Sequence, residues 1–107
     1  MVPDLEKELK EICIALTVKL RGNGGGNGNA LIDHDLIQRL HTTLDSYKEA
    51  IRTEERVSKE LVWSLLYTCS RFYVQSKYSK NEADLMKEYD ELNQRLVRVF
   101  SNYDDSK

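Results

Sequence analysis

Apolar residues recur along this chain in steps of three and four, and the phase of the recurrence breaks three times. Leu5, Leu9, Ile12, Leu16 and Leu20 form a first stripe, with Ala15 and Val18 beside it. Ile37, Leu40, Leu44, Tyr47 and Ile51 form a second. A last one comprises Leu85, Tyr89, Leu92, Leu96 and Val99, widened by Met86, Val97 and Phe100. Between them runs the most apolar stretch, Leu61 to Tyr78. Leu61, Val62, Leu65, Leu66, Cys69, Phe72 and Tyr73 keep helical spacing there, and Trp63, Tyr67 and Val74 extend the apolar surface to the flanks. Such periods predict amphipathic helices. Four are expected, over residues 4–21, 30–51, 54–78 and 80–101, in one domain spanning 1–107. The third is apolar around most of its circumference and is expected to be the central helix, with Leu66 in the core. The fold class is all-α, an antiparallel four-helix bundle.

Each break has a local cause. All five glycines fall within GNGGGNG, residues 22–28, so a flexible Gly/Asn-rich loop over 22–29 is expected between the first two helices, free enough for the first helix to pack on its own chain or to swap into another. Asn29 or Asp33 is placed to cap the second helix. Past Ile51 its stripe would bring Glu54, Glu55 and Ser58 to the core, so a turn is expected near residues 52–56 with Thr53 as the next cap. One uninterrupted helix is the competing reading. Ser79 and Glu82 have the spacing of a capping box before the fourth helix. Residues 103–107 are expected to fray.

Composition narrows the classes of function. A length of 107 residues suffices to bury a core without metal or disulfide support. Sixteen basic and eighteen acidic residues are interspersed, for a net charge of -2, which disfavours nucleic acid as a partner. Cys13 and Cys69 sit within apolar helical patterns and read as buried reduced thiols, a disulfide between the first and third helices being the alternative. Acidic residues precede the first apolar run and no run reaches membrane-spanning length, so no transmembrane segment and a cytoplasmic location are expected.

Candidate chemistry is sparse. His34 and His41 lie two turns apart on one helix, wider than the four-residue spacing with which a helix usually grips one ion, and they read as solvated or boundary histidines. Asp84, Glu88, Asp90 and Glu91 read as a solvated face, with Glu91 placed to pair with Arg95. No metal, cofactor or catalytic residue is predicted, and the chain is expected not to be an enzyme. The aromatic flank of the third helix with its basic border, Trp63, Tyr67, Arg71, Val74, Lys77 and Lys80, is the expected partner-binding surface.

Two resemblances attach to these residues. The run Lys77, Tyr78, Ser79, Lys80, Asn81 and Glu82 resembles the junction before the last helix in immunity proteins against pediocin-like bacteriocins, the enterocin A immunity family. Membership would imply a small cytoplasmic four-helix bundle that protects its host by contacting a membrane receptor complex at its cytoplasmic face. The run from His34 to Leu40 resembles the phosphoacceptor box of sensor-kinase dimerisation domains, which would make His34 a phosphotransfer residue. A homodimeric structural or adaptor protein, paired through the third helix, is the further alternative.

Overall fold

The computed structural model describes residues 2–101. Its helices are α1 (Val2–Leu20), α2 (His34–Ala50), α3 (Lys59–Ser76) and α4 (Glu82–Val99), and no named strand occurs among the described residues. Pro3 and Asp4 stand in the first turn of α1 and Lys19 in its last, where a missing amide and these charges suit the helix dipole. The four stripes meet in one core. Leu9, Ile12, Leu16 and Leu20 come from α1, Leu40, Leu44 and Tyr47 from α2, Leu61, Leu65 and Phe72 from α3, and Leu85, Leu92 and Leu96 from α4.

Helix α1 packs on α2 and α3, and α4 packs on the same two, so α1 faces α4 and α2 faces α3 across the core. Residue contacts give the register. Across the α1/α2 seam the end of one helix meets the start of the other: Lys19 Nζ reaches Asp33 at 2.6 Å, Thr43 Oγ1 donates to Glu8 at 2.8 Å, and Tyr47 Oη donates to Glu6 at 2.8 Å. The α3/α4 seam repeats the pattern, with Lys77 Nζ 3.4 Å from Glu82 and the Tyr73 and Tyr89 rings 5.4 Å apart. Along α1/α3 and α2/α4, by contrast, like ends meet. Lys10 lies 3.8 Å from Glu60 and Gln75 donates to the Gly22 carbonyl, while Arg95 donates to Asp45 and Phe100 sets its edge against Tyr47. Glu6 ties three elements together, accepting from Tyr47 Oη and also from the Ser58 amide that precedes α3.

Four expectations about the connections change. The glycine loop is docked. Gly25 donates to Asn29, Gly26 to Asn23 and Asn29 to Gly26, and the loop then grips the α3–α4 junction through Lys80 N to Gly28 O at 2.7 Å and Ser79 Oγ to Asn23 Oδ1 at 2.6 Å. Gly22 and Gly28 carry φ of +65° and +83°, a backbone that favours glycine, and a Cβ on Gly28 would in addition crowd the Lys80 side chain at 3.0 Å. Second, α2 starts at His34, not at residue 30. Ala30 cannot enter a helix because the Asn81 side chain holds both its amide, at 2.9 Å, and its carbonyl, at 3.1 Å; Asp33 is the cap, accepting from Leu36 N.

Third, the α2–α3 connection is longer than expected and one continuous helix is ruled out. Residues 52–56 are all exposed, and Ser58 rather than Thr53 caps α3, accepting from Leu61 N. Fourth, the Ser79–Glu82 capping box does not form. Helix α4 starts at Glu82 behind Asn81, whose side chain is committed to Ala30, and Ser79 is committed to Asn23 and Gln75. The expected fraying of 103–107 lies outside the described residues.

Helix α3 is not central. Among the described helices only α1 and α4 pack on it, and Leu66 and Tyr73, which the stripe placed inward, are exposed. Val97, expected to widen the α4 stripe, is exposed as well. Cys13 and Cys69 are buried and free. No described helix is long and apolar enough to cross a membrane.

The Asp33 cap supplies a pH dependence. Lys19, and then the Leu36 amide, hold its carboxyl below the ordinary value of 3.8. A carboxyl lowered in the native state contributes stability that is complete above its unfolded pKa and is lost as pH falls through its native one. Melting curves taken from about pH 5 down to about pH 2 should therefore fall more steeply for the native chain than for Asp33→Asn, which keeps an accepting oxygen without the charge. Equal slopes would show that Asp33 carries no part of the acid sensitivity.

Candidate functional site

The surface that stands out is the outer side of α3. Two neighbours cover one face of that helix and leave the other to water, so Trp63 is 62% exposed and Leu66, Tyr67, Tyr73 and Val74 are exposed with it. Trp63 and Tyr67, one turn apart, stack in parallel with ring centroids 5.1 Å apart. The pair forms an aromatic stack whose outer faces are apolar and whose indole and phenol groups can still hydrogen-bond.

Trp63, Tyr67, Arg71 and Val74 share one side of α3 by their helical spacing. Arg71 is half-buried and donates to Gln75 Oε1 at 3.2 Å, which fixes its guanidinium along the helix. Lys77 belongs to the opposite flank, where its ammonium sits 5.0 Å from the Tyr73 ring centroid and 3.4 Å from Glu82. Lys80 lies beyond the helix, its methylenes against Gly28. The structure thus gathers four of the six expected residues into one patch and assigns the two lysines to its far edge and to the loop junction.

Helix α1 adds Lys10 and Ile14, and with them Val18, which was expected beside the apolar stripe and is exposed instead. Lys10 meets Glu60 across the α1/α3 seam, and Ile14 and Val18 follow it at one-turn steps on that edge. Both are exposed. Glu60 stands one turn before Trp63, so Ile14 and Val18 add exposed apolar surface on the helix that packs beside α3. One sign was legible: Ile14 and Val18 fall off the α1 stripe, a step of four apart.

Among the described residues the remaining groups do not assemble a nucleophile. Burial, with the Asp90 charge second, pushes the Cys69 thiol up to about 11, and burial also raises the Cys13 thiol against an opposing hydrogen bond with Thr68. Both are protonated near neutrality and therefore poor nucleophiles. His34 is exposed at the start of α2. His41 sits half-buried in the α2/α4 seam, beside Glu88 and Glu91, with Nδ1 enclosed and unpaired. Arg95, expected to pair with Glu91, donates to Asp45 instead. Comparison with protein-family models, with curated proteins and with solved structures finds no match to this chain.

Proposed function

We propose that this chain is a non-catalytic binding protein, an antiparallel four-helix bundle built as two helical hairpins side by side, that engages a protein partner through the outer face of α3. The observation that carries this reading is the uncovered Trp63–Tyr67 stack with Val74 beside it and Arg71 held at its border. Protein interfaces concentrate their energy in such aromatic and arginine anchors, and a helix face already fixed by a packed core loses little entropy when a partner covers it. Bacteriocin immunity, implied by the likeness of residues 77–82 to that family's junction, is the specific form of the proposal: cytoplasmic protection by contact with a membrane receptor complex.

Expression of the intact chain in bacteria sensitive to pediocin-like bacteriocins tests that form. Protection should appear against at least one toxin of a panel, and Trp63→Ala with Tyr67→Ala should weaken it by about tenfold to a hundredfold while leaving the melting temperature nearly unchanged. No protection against any member removes the immunity role, and protection undiminished in the double variant removes the α3 face.

A second reading is favoured by the same exposed patch, namely a homodimer in which two α3 faces cover each other. Light scattering across a concentration series separates the two. A dimer dispersed by the double variant establishes self-pairing, and a monomer at the highest concentration excludes it.

A further inference from the structure

The α2/α4 seam is the least extensive of the four helix contacts. A groove of about 350 Å³ runs along it, lined among others by His41, Thr42, Asp45, Glu91 and Arg95. Beside it His41 of α2 meets Glu88 and Glu91 of α4, and one ligand-capable atom from each lies within 4.8 Å of the other two. We propose that His41, Glu88 and Glu91 bind a divalent transition-metal ion of the zinc type, with the groove supplying water as the fourth ligand.

Several independent features support the site. Glu88 and Glu91 are one turn apart on α4, so their carboxylates project to the same side, toward His41. His41 supplies the nitrogen donor, and its enclosed Nδ1 has no hydrogen-bond partner among the described residues. Arg95 is the competing cation, and its guanidinium is turned toward Asp45.

One imidazole and two carboxylates also match zinc in charge and donor type, whereas magnesium and calcium prefer oxygen ligands alone. Tetrahedral bonds of about 2.0–2.2 Å place ligand atoms roughly 3.3 Å apart, so the present spread closes by about 1.5 Å of side-chain rotation. Because two of the ligands sit on α4 and the third on α2, the ion would act as a clasp across the seam. It is separate from the α3 face, so neither proposal depends on the other.

Calorimetric titration of zinc into the metal-free full chain tests the assignment. One ion per chain should bind, excess magnesium should not displace it, and cobalt in its place should show the visible absorption of a four-coordinate ion. His41→Ala and Glu88→Gln should each weaken binding by about tenfold or more, and Asp90→Asn, an exposed acid on the same helix, should leave it unchanged. Zinc at about a hundred times its dissociation constant should raise the melting temperature by roughly 10 °C or more, and should fail to do so in His41→Ala. If the half-buried variants do not fold, Glu91→Gln at the exposed ligand carries the test. Absence of saturable zinc uptake, or uptake indifferent to His41 and Glu91, overturns the proposal.

Discussion

Replacing Leu65 by alanine should lower the unfolding free energy by about 2 to 5 kcal/mol, while the same change at its neighbour Leu66 should cost less than about 1 kcal/mol. The two leucines have identical chemistry and helix propensity, so the contrast isolates burial. Leu65 is fully enclosed in the core, and truncation there leaves a cavity that the packed neighbours fill only in part. Leu66 is 59% exposed on the outer face, where its γ and δ carbons already meet water. Urea denaturation with a common m-value measures both. Equal losses at the two positions would mean that α3 is rotated from the orientation described, and with it the Trp63–Tyr67 stack.

Asn81→Ala should be the most damaging change outside the apolar core, at about 2 to 4 kcal/mol. Its side chain both donates to and accepts from the backbone of Ala30, a residue that is itself buried. Removal strands a buried amide and a buried carbonyl together, and each costs about 1 to 3 kcal/mol when left unmatched. Asn81→Asp sharpens the comparison. Aspartate keeps an acceptor for the Ala30 amide but turns a second oxygen toward the Ala30 carbonyl, so a loss comparable to that of alanine is expected despite the better helix-capping group. Ser79→Ala, which removes bonds at a less enclosed position, should cost less than either. If Asn81→Asp instead stabilised the fold, the residue would be serving α4 as an ordinary cap.

These two positions also show how far the chain could be read in advance. The four helices were legible because each needs only its own three- and four-residue recurrence, and Leu9, Leu44, Leu65 and Leu92 all lie where their stripes put them. Helix ends were less legible wherever the deciding partner is remote: Ala30 is kept out of α2, and Ser79 out of a capping box, by groups about fifty residues away. Leu66 was misplaced for another reason. An apolar circumference suggests burial on all sides, yet exposed apolar side chains are common and a helix with two neighbours buries one face. Of the candidate surface, the Trp63–Tyr67 step was visible in the sequence, whereas the company of Ile14 and Val18 depends on α1 lying beside α3. His41, Glu88 and Glu91 were each noticed within their own helix. Their convergence follows only from the pairing of α2 with α4.

The exposed crossover at residues 52–56 has a consequence for how the molecule can be taken apart. At the opposite end, the glycine loop and the α3–α4 junction are already fastened to each other by hydrogen bonds that span more than fifty residues. The crossover is thus the one covalent tether between an α1–α2 half and an α3–α4 half whose other attachments are all noncovalent. A chain divided there presents two complementary fragments, each carrying half of every shared seam, and their reunion becomes a bimolecular event whose strength can be set by concentration.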